Sequence, residues 1–195
     1  TGDSQSSINC CFFFCNRNNQ SLPAQIKLMP NQIWIVRHAK SSWADANMRD
    51  HDRPLNERGN HDAPRMADLI LNQIQDNLLL FSSTALRAKT TCEIFANTFK
   101  TKNPAIRLSE KLYHASEFDI LSHINELEEC VTDVMIFAHN PGISYFANRI
   151  SNALLMEVPT CGIIKCNVKQ TKKWEEIDFD QIEIESHYFP KSEIY

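Results

Sequence analysis

The chain has 195 residues, 43% of them hydrophobic and 23% charged, with a formal net charge of −4. That length suits one domain of ordinary size, and the apolar fraction is too high for a disordered chain. The acidic balance argues against a nucleic-acid partner, and no apolar run approaches the roughly 18 residues of a transmembrane helix, so no membrane partner is expected.

Residues 1–28 differ in texture from the rest. Cys10-Cys11-Phe12-Phe13-Phe14-Cys15 is a short uncharged patch, with no basic segment before it. It does not read as a secretory signal. The expectation is an N-terminal extension outside the fold, followed by a single domain over 29–195. A chain starting at Met29 should then keep its stability and activity. An organelle-targeting role for 1–28 stays open.

From there the pattern alternates. Ile33-Trp34-Ile35-Val36 predicts a buried strand. Residues 40–61 are polar and too irregular for one element. Apolar spacing at Ala63, Met66, Ala67, Ile70 and Ile74 predicts a helix over 61–77. Leu78-Leu79-Leu80-Phe81 predicts a second buried strand. Leu86, Thr90, Ile94 and Phe95 predict a helix over 85–98, ended by Lys102-Asn103-Pro104. A short strand is expected within 106–113 and a helix over 118–129. Val131 to Ala138 is apolar at nearly every position and predicts a buried strand. Pro141-Gly142 marks a turn before a helix over 143–150. Residues 160–168 and 174–179 read as two closing strands, and the charge mixture of 172–185 as a solvated strand edge. Strands alternating with helices predict an α/β three-layer sandwich, with a largely parallel central sheet and helices on both faces.

The seven cysteines include no C-x-x-C pair. Buried or idle thiols are expected rather than a metal site, and free thiols fit a reducing, cytoplasmic compartment.

In open α/β sheets, ligands sit beyond the carboxyl ends of the strands. Three such ends carry polar chemistry here: Arg37-His38, Ser82-Ser83-Thr84 with Arg87, and His139-Asn140. Two guanidiniums and two imidazoles on one rim form a receptor for a tetrahedral dianion. A helix starting near Thr84 adds backbone N–H groups. No P-loop lysine and no acidic pair spaced for Mg²⁺ is present, so phosphoryl transfer without metal or cofactor is expected. A neutral imidazole can attack phosphorus and form a phosphohistidine intermediate.

These segments carry a resemblance. Val36-Arg37-His38-Ala39-Lys40-Ser41-Ser42-Trp43 resembles the Arg-His signature of the histidine phosphatase superfamily. The run from Asp52 to Gly59, DRPLNERG, resembles a segment of its small SixA-like branch. The run from Ser83 to Thr91 is similar to its Ser-x-x-x-Arg-Ala-x-x-Thr motif, and Ala138-His139-Asn140-Pro141-Gly142 to its second-histidine motif. Four motifs in order point to SixA-like phosphohistidine phosphatases rather than to phosphoglycerate mutases, within a phosphoglycerate mutase-like fold.

The resemblance implies that His38 is the nucleophile and that Arg37, Arg87 and His139 clamp the phosphate. Arg53, Glu110 and His114 are candidate substrate contacts. Glu110 lies in Leu108-Ser109-Glu110, which resembles the general-acid segment of larger relatives, and a structural role competes for it. A surface role competes for His114. Where the family commonly has Gly after the first His, this chain has Ala39. His51, His61, His123 and His187 read as ordinary residues, and Trp43 as a loop anchor. The expected partner is a phosphorylated protein such as a phosphotransfer domain. The alternatives are a small phosphomonoester and, in another class, an inactive phosphate-binding scaffold.

Overall fold

In the computed structural model, residues 32–128, 130–151, 157–169 and 173–190 are described; residues 1–28 lie outside them. The elements are β1 (Gln32–Arg37), α1 (Glu57–Ile70), β2 (Leu79–Ser83), α2 (Leu86–Thr98), β3 (Ala105–Ser109), α3 (Glu117–Asn125), β4 (Asp133–Ala138), α4 (Gly142–Ile150), β5 (Ile163–Val168) and β6 (Ile182–Tyr188). The sheet order is β3-β2-β4-β1-β5-β6. The first four strands of that order are mutually parallel; β5 runs antiparallel to β1, and β6 antiparallel to β5.

Strand β1 shows why the layers form. Its side chains alternate, and both faces are buried. Ile33 and Ile35 enter a core shared with Ile120, Ile124, Ile143 and Phe146 of α3 and α4. Trp34 and Val36 enter a second core with Ala63, Met66, Ile70, Cys92 and Phe95 of α1 and α2. The sheet is thus covered on both faces, the three-layer sandwich expected. Cys92, Cys161 and Cys166 are buried thiols of the core, and burial pushes each of them up. Among the described residues, no helix is long and apolar enough to cross a membrane.

Several boundaries differ from the periodicity; the helix expected over 118–129 is Glu117–Asn125, and the strand expected within 106–113 is Ala105–Ser109. Helix α1 begins four residues before the expected start at 61, because Asn56 caps it by accepting from Gly59 N at 2.9 Å. It ends at Ile70, where a 3-10 turn takes over. The last strand is not 174–179 but Ile182–Tyr188. Residues 174–176 and 179–181 are 3-10 turns instead. Buried Trp174 donates Nε1–H to Val131 O at 2.9 Å, so its apolar neighbourhood seals the base of a helix rather than a ladder. Period-two spacing over so few residues does not separate the two cases.

The order places β1 beside β4, with Arg37 opposite Ala138. The chain leaves β1 toward the α1 face and leaves β4 toward the α4 face. The neighbouring carboxyl ends therefore open a crevice at a topological switch point.

Candidate active site

His38 and His139 emerge from those two neighbouring ends. Their ring centroids lie 4.9 Å apart, tilted by 54°. His38 is 8% exposed and His139 3%. His38 Nδ1 lies 2.8 Å from the carbonyl of Ala39. A carbonyl only accepts, so Nδ1 carries the proton and Nε2 keeps its lone pair. That lone pair faces Arg87, whose Nε donates to it at 3.3 Å. Burial, followed by the fields of Arg87, Arg37 and Arg53, lowers the His38 imidazole to about 4, although the contact with Ala39 O pulls the other way. The ring is neutral at physiological pH.

Ala39 takes the place of a glycine without strain. Its methyl is fully buried in the core, and its N–H reaches Thr91 Oγ1 at 3.0 Å. Thr91 in turn donates to Arg87 O at 2.6 Å. The first and third motifs are therefore stitched together.

His139 Nε2 lies 2.8 Å from Ser83 Oγ. Ser83 Oγ accepts from Ala85 N at 3.3 Å, and among its described contacts the imidazole is the one acceptor for its own proton, so we assign it there. His139 Nδ1–H then has no partner and is a buried donor in reserve. Burial, then the neighbouring His38 and Arg87, lower this imidazole strongly, so it too is neutral. Arg37 donates Nη1 to Val158 O at 2.7 Å, while its Nε is buried without a partner. Asn140 Nδ2 donates to the same Val158 carbonyl at 3.2 Å, which links the second-histidine motif to Arg37. Helix α2 starts at Leu86, one residue before Arg87, with no capping side chain on its first N–H groups. Uncommitted donors and neutral imidazoles converge where a tetrahedral anion fits.

A family model for the histidine phosphatase superfamily, branch 1, matches residues 33–116. The chain belongs to the histidine phosphatase superfamily. An uncharacterized protein of Mycobacterium tuberculosis (strain ATCC 25618 / H37Rv) is 34% identical over 112 residues, 57% of this chain and 67% of the relative. Among solved structures, a candidate phosphohistidine phosphatase SixA from Agrobacterium tumefaciens matches with TM-score 0.69 and 28% identity, over 83% of this chain and 99% of that one. A mycobacterial glucosyl-3-phosphoglycerate phosphatase matches with TM-score 0.57 and 13% identity, over 80% and 98%, a likeness of fold alone.

Within this phosphatase scaffold, the remaining expected residues fall unevenly. Arg53 is buried, and its field reaches His38, yet its hydrogen bonds hold its own loop. They go to Ser42 O at 2.9 Å, Asp50 Oδ1 at 2.8 Å and Ser41 Oγ at 2.6 Å. His114 is exposed, with a backbone φ of 57°, and its ring lies 4.0 Å from Tyr113 and 6.2 Å from His139. Glu110 is exposed at the start of a 3-10 turn, and none of the site's hydrogen bonds uses its carboxylate. Trp43, expected as a loop anchor, lies on the surface against Arg53. It is 73% exposed, with the Arg53 guanidinium 3.2 Å from its ring centroid.

Three residues of the site were not singled out by the motifs. Asp50 accepts from Arg87 Nη2 at 2.8 Å, from Arg53 Nη1 at 2.8 Å and from Tyr113 Oη at 2.9 Å. These partners hold its carboxyl far below the usual carboxylate range, against the effect of burial. Tyr113 stands edge-on to His139 at 5.6 Å. His51 contacts Thr84 Oγ1 at 3.0 Å and Tyr113 edge-on at 5.1 Å. The one available signal was the position of Asp50, three residues before Arg53. A cavity of about 690 Å³, lined by Arg149, Lys169, Phe179 and Glu183 among others, lies at the opposite end of the sheet and holds none of these residues.

Proposed function

We propose that this phosphatase removes the phosphoryl group from phosphohistidine in a protein, without a metal, through a covalent intermediate on His38. The observation that carries the substrate class is the state of the nearby acids. A phosphomonoester releases an alkoxide, which needs a proton donor. Asp50, the carboxyl bonded to the arginines of the site, is held ionised by Arg87, Arg53 and Tyr113 and has no proton to give. Glu110 stands exposed, with no polar contact to His38, Arg87 or His139. Such a site suits a leaving group that needs little protonation, and a phosphohistidine imidazole is one.

The steps follow from the geometry. His38 Nε2 directs its lone pair at phosphorus, while Nδ1–H stays on Ala39 O and fixes the tautomer. The P–N bond of the substrate breaks, and its electron pair returns to the leaving imidazole, which takes its proton from water or carries one already on its other nitrogen. Arg87, Arg37 and His139 Nδ1–H receive the equatorial oxygens, where transition-state charge gathers. Water then attacks the phosphoryl group on His38. The bond to Nε2 breaks, the ring recovers its lone pair, and inorganic phosphate leaves.

The 28% identity to the Agrobacterium protein supports this substrate over others. The test is a rate comparison between a phosphohistidine-bearing phosphotransfer protein and a panel of sugar and nucleotide phosphates. A preference for the phosphohistidine protein is expected. A clear preference for phosphomonoesters overturns the substrate class. Loss of acid-labile ³²P labelling in His38→Ala is expected, and retained labelling overturns the mechanism.

A further inference from the structure

We infer that Asp50 is a positioning residue of the phosphoryl-transfer site, fixing the guanidinium of Arg87 so that its inner edge faces the His38 nucleophile and tying it to the loop that Arg53 holds. The inference rests on the reading of this crevice as a phosphoryl-transfer site.

The geometry divides Arg87 into two sides. Its Nη1 donates to the Asp50 backbone carbonyl and its Nη2 to Asp50 Oδ2 at 2.8 Å, while Nε turns to His38 Nε2 at 3.3 Å. A planar guanidinium held on its outer edge presents its inner edge at a fixed angle. The second Asp50 oxygen holds Arg53 Nη1, so one carboxylate sets the orientation of two arginines.

Asp50 is itself held. It opens the 3-10 turn Asp50–Asp52, whose next residue, His51, contacts Thr84 Oγ1 at the start of the Arg87 helix. Tyr113 Oη donates to Asp50 Oδ2 from the other side of the crevice. Neutralising one of three guanidiniums also matters. Arg37, Arg53 and Arg87 against Asp50 leave two net positive charges, the complement of a phosphoryl dianion. Both arginines are nearly buried, at 5% and 6% exposed, so without Asp50 each would have to be ordered during binding rather than before it.

The test compares Asp50→Asn, Asp50→Ala and Asp50→Glu with Asp52→Asn, which removes a carboxylate of the same turn that pairs with Arg49 and His51 and not with Arg87 or Arg53. Two readouts are taken on the full chain: turnover of phosphoramidate, and calorimetric binding of inorganic phosphate, which needs no substrate identity. Asp50→Asn and Asp50→Ala should lose about 10- to 100-fold in kcat and about tenfold in phosphate affinity, with the melting temperature held within a few degrees. Asp50→Glu should recover part of both, and Asp52→Asn, which keeps the Asp50 carboxylate on Arg87, should lose at least about fivefold less in each than Asp50→Asn. Unchanged phosphate binding in Asp50→Asn and Asp50→Ala overturns the inference. Tighter phosphate binding also overturns it, because it would make Asp50 a competitor for the arginines. An equal loss in Asp52→Asn overturns it too, by assigning the effect to the turn. If wild type turns over no phosphoramidate but binds phosphate, the functional reading fails, and the phosphate measurements still decide the role of Asp50.

Discussion

Arg87 Nε lies 3.3 Å from His38 Nε2, donating to the one imidazole nitrogen that has a free lone pair. The contact favours the unprotonated nitrogen, and on the proposed mechanism it sets a cation where the phosphoryl oxygens arrive. Lysine keeps the charge but loses the planar edge that reaches His38 and Asp50 together. Arg87→Lys should lower kcat by about 10²–10³-fold, as loss of an oriented oxyanion donor does. Stopped-flow and steady-state rates on phosphoramidate would check this, and a loss under threefold would refute it.

On the proposed mechanism, the acidity of His38 sets the acid limb of activity. Its imidazole is lowered to about 4, first by burial. The neutral, attacking form therefore persists well below the ordinary histidine range near 6.5. kcat/KM, corrected for substrate ionisation, should stay flat from pH 7 to about 5 and fall below that. A limb centred near 6.5 would contradict the burial of this ring.

The same shift acts on stability. His38 binds its proton less readily folded than unfolded, so the unfolded chain takes up more protons between about pH 6.5 and 4. Its stabilising contribution is complete above pH 6.5 and is lost as pH falls through that window. His139 adds to the loss in the same direction. Melting temperatures should drop between pH 7.5 and 4.5, and His38→Asn should flatten part of that slope. Parallel curves for the two proteins would count against the assignment.

Asp133 has the opposite sign. Burial raises its carboxyl to about 6, against the opposing Thr132 hydroxyl and the Lys165 charge. Its stabilising contribution is present below the unfolded value and is lost as pH rises through about 6. Asp133 Oδ1, Gln32 Oε1 and Asn167 Oδ1 are buried acceptors without partners, and register puts the three residues side by side on one face of β4, β1 and β5. Asp133→Asn removes the buried charge and adds a donor to that row. It should raise stability at pH 8, by up to about 3 kcal/mol, and change little at pH 4. Urea melts at both pH values would show it, and a loss at pH 8 would contradict the argument.

Two glycines let neighbouring backbones approach closely. A Cβ at Gly142 would strike the carbonyl oxygen of Ala115, and one at Gly59 that of Lys40. These obstacles are backbone and cannot rotate away. Gly142→Ala should destabilise by at least about 2 kcal/mol and displace His139, three residues earlier. Gly59→Ala should do the same to the loop after His38. Thermal melts and activity would check both, and a neutral Gly142→Ala would show that the α4 start can shift.

Much of the fold was legible in the residue pattern. β1 and β4 are buried on both faces, so they read as unbroken apolar runs at Ile33 to Val36 and Val134 to Ala138, with no long-range knowledge needed. α2 fell where its apolar spacing put it. The closing strand did not, because the apolar residues of 174–179 serve 3-10 turns, and a few alternating residues fit either state.

The sequence by itself determined the chemistry at the strand ends: Arg37-His38, Arg87 and His139-Asn140 are fixed in the chain by their motifs. Tertiary structure alone decided which of these groups touch. β1 and β4 pair only because β4 inserts between β2 and β1, and that pairing sets the two imidazoles 4.9 Å apart. It also brought Asp50 onto Arg87 and Tyr113 onto Asp50, contacts across 37 and 63 residues. Local spacing carries no information about such contacts, because a loop's hydrogen bonds depend on the surface it lies against.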